Sequence, residues 1–249
     1  MIATDKHIFA LFAPNFWNEK TKIGIVIKIV DQEIFHRLVK VLRIQVGQQF
    51  IFFDQINHGI IEVSEVLKKD LSVKILNFEK NRENLPEIIF LLPLLKKEAL
   101  EEAVYSLVEV GVSKIQLVVT QKSRQKLLHE KELERLKSIV IAAAEQSKNY
   151  NYPEIHSPVN LSKIVTSFEN DKDAKALKIV FDPEGQSFFD LRTKKSKQGK
   201  NYLLVGPEGG LTLEELQQLE NVSFQKSHLT PTILRAVQAV AIGAALFKI

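Results

Sequence analysis

The 249-residue chain has no cysteine, one methionine and one tryptophan. Without cysteine there is no disulfide framework, no CxxC redox pair and no thiolate zinc site. Neither sign of charge dominates: 34 Lys and Arg against 30 Asp and Glu leave +4 at neutral pH. That excess permits a polyanionic partner without requiring one. Long apolar runs are missing too. The longest uncharged apolar stretch, Ala236 to Phe247, has twelve residues. It is too short to span a bilayer and reads as a buried core helix. Ile8 to Trp17 is apolar, but Pro14 and Asn15 interrupt it and no small-residue cleavage site follows. It reads as a strand rather than a signal peptide, and a cytoplasmic protein is expected. The six histidines lack metal-ligand spacing, and HExxH, GxSxG, GxxxxGK[ST] and GxGxxG are all absent. No metal, serine nucleophile, nucleotide hydrolysis or dinucleotide site is therefore expected.

What is present is ordinary for a folded protein, with 45% hydrophobic and 26% charged residues. The first eighty residues read as strands. Ile23, Ile25, Ile27 and Ile29 alternate with other residues at a period of two. A short helix follows, capped by Asp31, with Ile34, Leu38 and Val41 on one face. Gln49–Asp54, Gly59–Val66 and Leu71–Leu76 again look extended, which suggests a small β-barrel.

After Asn81–Pro86 the rhythm changes. Strands are predicted at Ile88–Leu92, Ile115–Thr120, Ile179–Asp182, Tyr202–Val205 and Val222–Gln225. Helices are predicted at Glu98–Val110, stopped by Gly111, and at Lys131–Ser147. Another is predicted at Thr212–Leu219, where Thr212 and Glu215 form a capping box. Thr230-Pro231 is read as the start of the last helix. Alternating strands and helices mean an α/β domain with a mostly parallel sheet. The domains are set at 1–79 and 80–249. Charge does not mark the boundary: ten basic residues stand against nine acidic ones before it, and 24 against 21 after it. Leu191–Lys200, with Lys194, Lys195 and Lys197, is the clearest polar loop.

Three stretches could carry chemistry. Gly206-Pro207-Glu208-Gly209-Gly210 follows a buried strand and precedes a capped helix. Ligands of open α/β sheets bind beyond the carboxyl ends of strands, and glycine there lets the backbone approach closely. His228 to Arg235 leads into the apolar last helix, and Arg235 is the only charge between Lys226 and Lys248. A buried arginine there would need an anionic or polar partner. Ala144-Glu145-Gln146-Ser147 ends the long helix.

In this order, these stretches resemble the RsmE family of small-subunit ribosomal RNA methyltransferases, members of the SPOUT class. His36-x-x-x-Lys40-Val41-Leu42-Arg43 with Gly47 looks like the family's H-x-x-x-V-L-R-x-x-x-G. Glu109-Val110-Gly111-Val112 looks like its E-L-G-V, and Ala144 to Ser147, followed by Pro153, matches its A-x-Q-S. Gly206 to Gly210 matches GPEGG, and Leu229 to Arg235 looks like L-G-P-R-I-L-R. The resemblance covers nearly the whole chain.

The resemblance implies an N-terminal PUA-like β-barrel that binds RNA and a C-terminal trefoil-knot domain that binds S-adenosylmethionine. It also implies a homodimer that methylates N3 of a uridine in 16S ribosomal RNA. Carried over, Val205, Gly206, Pro207, Glu208, Gly209 and Gly210 would line the cofactor pocket on one side. Leu229, Thr230, Pro231, Ile233 and Leu234 would line it on the other. Arg235 would stabilise the uracil anion that forms when N3 loses its proton. Glu145 and Glu208 are both candidates for the base. Arg37, Lys40, Arg43 and Arg124 are candidates for phosphate contacts.

The chain also departs from the family. The closing L-R-T-E-T-A is here Leu234-Arg235-Ala236-Val237-Gln238-Ala239, so Val237 replaces the glutamate and Gln238 a threonine. Thr230 replaces a glycine, Thr232 an arginine, and Asn149 stands where another arginine is expected. These changes motivate a second reading, a non-catalytic or retargeted RNA-binding relative.

Overall fold

The computed structural model describes residues 8–19, 21–169, 176–191 and 199–248. It divides into two compact units. The first runs to Glu83 and takes in Glu145–Asn151; the second comprises Asn84–Ala144 and Tyr152–Ile249. The division thus falls a few residues after the expected boundary, and a second chain segment joins the first unit. Most of the polar loop read at Leu191–Lys200 lies outside the described residues.

The first unit is built on one mixed sheet. Its strands are β1 (Ala10–Phe12), β2 (Val26–Ile29), β3 (Gln49–Phe53), β4 (Asn57–Val66), β5 (Leu71–Ile75) and β6 (Glu79–Lys80). Their order is β1-β3-β4-β5-β2, with β6 also paired to β4. Only the β1–β3 pair is parallel. Period-two patterning fixes which face is buried. Leu71, Val73 and Ile75 point into a core with Phe50, Phe52, Ile61 and Leu11, while Ser72 and Lys74 face outward. In the isoleucine run, Ile25, Ile27 and Ile29 keep the inward phase. Ile23 precedes the turn at Gly24 and is exposed, so the strand starts later than the alternation suggested.

The short helix shows why local pattern misleads there. Asp31 accepts hydrogen bonds from the N–H groups of Glu33 and Ile34, which caps α1 (Gln32–Phe35) as expected. The chain then widens into a π-helical turn, His36–Val41. Wider winding rotates the faces. Leu38 is fully buried, but Val41, assigned to the same face, is exposed.

The second unit is a six-stranded sheet, all parallel, in the order β12-β10-β11-β7-β8-β9. The strands are β7 (Ile88–Pro93), β8 (Lys114–Val119), β9 (Glu154–Asn160), β10 (Leu177–Ser187), β11 (Asn201–Val205) and β12 (Gln225–His228). Between them run α2 (Lys97–Val110), α3 (Glu130–Ser147), α4 (Leu161–Glu169), α5 (Phe188–Leu191), α6 (Leu213–Asn221) and α7 (Ala236–Lys248). All six residues of β7 are buried, as a strand covered on both faces requires. Ile89, Leu91, Val180 and Leu204 pack against α4 and α6. Along α7, Val237, Val240, Ala244 and Phe247 form one buried stripe at helical spacing. Gly111 ends α2 in the left-handed region at φ +80°, and Thr212 with Glu215 forms the expected capping box of α6.

Two expected boundaries move. The strand read at Val222–Gln225 begins three residues later, at Gln225. Val222 and Phe224 are instead buried in the α4–α6 core, and the chain reverses at Ser223, φ +72°. The last helix begins at Ala236, not at Thr230-Pro231. Thr230 spends its hydroxyl on the Thr232 carbonyl, 2.7 Å away, within an open loop. β9 and α4 were not foreseen. In β10 the register slips, so that Phe181 and Gln186 both pair with Ser227. Residues 182–185 bulge outward between them. The bulge depends on Gly185, where a Cβ would collide with the Ser227 backbone nitrogen.

Candidate functional site

The carboxyl ends of β10, β11 and β12 open into a cleft of about 580 Å³. A cavity of this size suits a small organic ligand. One wall is the loop after β11, residues 206–211. The opposite wall is residues 229–235, between β12 and α7.

The first loop is tightly tethered. Gly210 N–H donates to the Pro207 carbonyl at 2.8 Å. Gly210 has φ +71°, and a Cβ on Gly206 would press on the Gly210 backbone at 3.1 Å, so the turn wants glycine at both places. Glu208 Oε1 accepts from Lys96 N–H at 2.9 Å. Lys96 is the N-cap position of α2, so the carboxylate of Glu208 satisfies the N-cap N–H and lies at the positive end of the helix. Residues 120–122 brace the loop from outside. Lys122 Nζ donates to the Leu211 carbonyl at 3.2 Å, and Gln121 N–H donates to buried Glu215 at 2.7 Å.

The second loop is more open. Ile233 is 83% exposed although it borders the cleft. Arg235 is exposed rather than buried, and its Nε donates to Gln238 Oε1 at 2.8 Å. The partner expected for a buried arginine is thus an amide, and burial is avoided. Val237 packs into the core at 6% exposure and also borders the cleft.

Of the residues assigned to a cofactor pocket, Val205, Gly206, Pro207, Glu208, Gly210, Leu229, Thr230, Ile233 and Leu234 line the cleft. Gly209 and Pro231 do not; Gly209 lies against the Lys122 side chain. Arg235 lines it as well. Glu145 does not. It belongs to the first unit, where Oε1 accepts from Phe12 N–H and Arg37 Nη1 and Oε2 accepts from Arg37 Nη2 at 2.6 Å. Lys40, Arg43 and Arg124 are exposed and have no partner among the described residues. Arg43 has φ +52°, an uncommon conformation for a side chain of this size.

The cleft also holds residues that were not foreseen, Lys96, Ala99, Phe181, Asp182, Pro183 and Ser227, together with His228 at the head of the second loop. Asp182 Oδ1 accepts from Glu184 N–H, which leaves Oδ2 without a hydrogen bond among the described residues. His228 Nδ1 faces the Gly185 carbonyl at 2.9 Å, so that nitrogen carries a proton. The Ser227 hydroxyl is fully buried yet has no partner among the described residues. A buried, unpaired hydroxyl is costly. No group of His, Asp or Glu among the described residues could hold a metal ion.

A parallel sheet with a glycine loop and a second loop converging beyond its strand ends is the ligand-binding end of an α/β domain, and the domain is an RNA methyltransferase domain of the SPOUT class. A family model described as an RNA methyltransferase domain matches residues 81–248. The ribosomal RNA small subunit methyltransferase E of Buchnera aphidicola subsp. Schizaphis graminum is 30% identical over 213 residues, covering 82% of this chain and 83% of that protein. Its counterpart from Rickettsia conorii is 24% identical over 226 residues, covering 90% and 89%. The chain belongs to the ribosomal RNA small subunit methyltransferase E family. The crystal structure of that enzyme from Neisseria gonorrhoeae, bound to S-adenosyl methionine, matches with a TM-score of 0.82 at 22% identity over 97% of both chains. The likeness carries the fold, a PUA-like β-barrel followed by a trefoil-knot domain.

Proposed function

We propose that the protein methylates N3 of a uridine in small-subunit ribosomal RNA, using S-adenosylmethionine, as a cytoplasmic homodimer. The observation that carries this reading is the convergence of residues 206–210, residues 229–234 and Arg235 on one cleft. The cleft volume suits the cofactor. The Asp182 carboxylate, whose Oδ2 has no hydrogen bond among the described residues, matches its ammonium and hydroxyl groups. Backbone N–H groups of the two loops would hold the adenine and methionine portions. The cofactor supplies an activated methyl group on a sulfonium.

Uracil N3 is a poor nucleophile while it carries its proton. The Arg235 guanidinium, directed at O2 or O4, stabilises the anion that remains once that proton leaves. Its exposure suits a group that meets substrate rather than one that closes a core. The proton needs an acceptor. Of the two carboxylates considered, Glu208 borders the cleft, whereas Glu145 is engaged by Arg37 and Phe12. Glu208, or a water that it orders, is the base in this reading. Lys40, Arg43 and Arg124 contact phosphates, adding affinity without sequence choice.

The test uses purified protein, labelled S-adenosylmethionine and small ribosomal subunits lacking the modification. Transfer of label to one uridine, with a reverse-transcription stop there because N3 methylation blocks pairing, is the expected result. Cofactor binding without transfer would favour the second reading, an RNA-binding relative without catalysis, which Val237, Thr232 and Asn149 motivate.

A further inference from the structure

Arg235 lies immediately before α7 and Gln238 in its first turn, and the two side chains meet. The 2.8 Å bond from Arg235 Nε to Gln238 Oε1 uses one of the five N–H donors of the guanidinium. The four donors on Nη1 and Nη2 remain. A bond at Nε fixes the rotation of the planar group about its stem, and so the direction in which those four point. Arg235 lines the cleft and Gln238 does not. Ala236 and Val237, which lie between them, have apolar side chains and supply no acceptor.

We infer that Gln238 is a positioning residue for methyl transfer: it aims the Arg235 guanidinium at the uracil oxygens without neutralising it. The choice of an amide matters. A carboxylate partner would hold the arginine as well but would offset the charge that the uracil anion needs, as Glu145 does for Arg37. An amide fixes the geometry and leaves the positive charge uncompensated. The inference rests on the proposed role of Arg235. It also gives the replacement of the family's threonine by Gln238 a function, since a threonine is too short to reach Nε from the same place.

The test compares the full-length wild type with Gln238→Met, which keeps the length and loses the acceptor, and with Gln238→Glu, which keeps an acceptor. Single-turnover transfer to small subunits lacking the modification is measured across pH, alongside calorimetric binding of S-adenosylmethionine. Gln238→Met should transfer about tenfold more slowly near neutrality, because a misaimed group loses transition-state contact. Its cofactor affinity should be unchanged. The deficit should narrow as pH rises and uridine ionises unaided, and Gln238→Glu should recover part of the rate. A Gln238→Met rate equal to wild type at every pH overturns the inference. So does a deficit that is constant with pH, which indicates a structural role. A wild type that binds cofactor but transfers nothing overturns the proposed function itself, and the inference with it.

Discussion

Arg37 in the first unit and Arg235 in the second both fall in motifs of the family, and they are held in different ways. Arg37 is clamped by two bonds to Glu145, whose side chain is only 13% exposed, and the same carboxylate also takes Phe12 N–H. Its charge is spent on joining the 145–151 segment to β1 and the π-helical turn. Arg235 is exposed, borders a cleft and is held by a neutral amide. On the proposed reading, the partner separates a structural arginine from one available for chemistry. Neither the residue type nor its motif does so.

Breaking the structural member of that comparison should have the largest effect on stability. Glu145→Ala leaves the Arg37 guanidinium and the Phe12 N–H without their acceptor. The expected loss is about 2 kcal/mol, below the figure for a fully buried pair because Arg37 remains partly in solvent. Urea unfolding measures it. The double variant with Arg37→Ala should be destabilised by less than the sum of the two single changes.

A smaller effect is expected at Lys248. Its Nζ donates to the carbonyls of Asn84 and Pro86, and burial brings its pKa from 10.5 down to about 8. Between these values the unfolded chain binds a proton that the folded protein has released. Stability therefore rises with pH from about 8 toward 10.5 on this account. Lys248→Met should flatten that rise in unfolding measured at pH 7 and pH 10. The smallest effect is expected at Arg124, exposed and without a partner among the described residues. Arg124→Ala should weaken RNA binding evenly across sequences and reduce the slope of log affinity against log salt by about one.

Local features of the fold were legible in the sequence. Gly111 stops α2, the Thr212–Glu215 box starts α6, and the apolar run at residues 88–92 is a strand buried on both sides. Pattern failed where tertiary demands override it. Thr230-Pro231 has the chemistry of a helix start, yet the chain needs residues 229–235 as a cleft wall and begins its helix at Ala236. Val41 fell off its expected face because a π-helical turn shifts the phase. At the site, the two loops could be read because each is contiguous. Lys96 and Asp182 could not, since the crossovers between parallel strands bring them in from distant positions. The Arg37–Glu145 pair spans 108 residues and leaves no local trace in the sequence.

The most direct test of the account compares the two arginines in one assay. Arg235→Ala and Arg37→Ala are each saturated with S-adenosylmethionine and small ribosomal subunits at a temperature where both are folded, and single-turnover transfer is measured. Arg235→Ala should be about a hundredfold slower than wild type with its unfolding midpoint unchanged, the scale of losing one preorganised anion-stabilising donor group. Arg37→Ala should unfold earlier and still transfer at close to the wild-type rate. Wild-type transfer by Arg235→Ala, or a comparable loss of rate in folded Arg37→Ala, would contradict the division of roles between them.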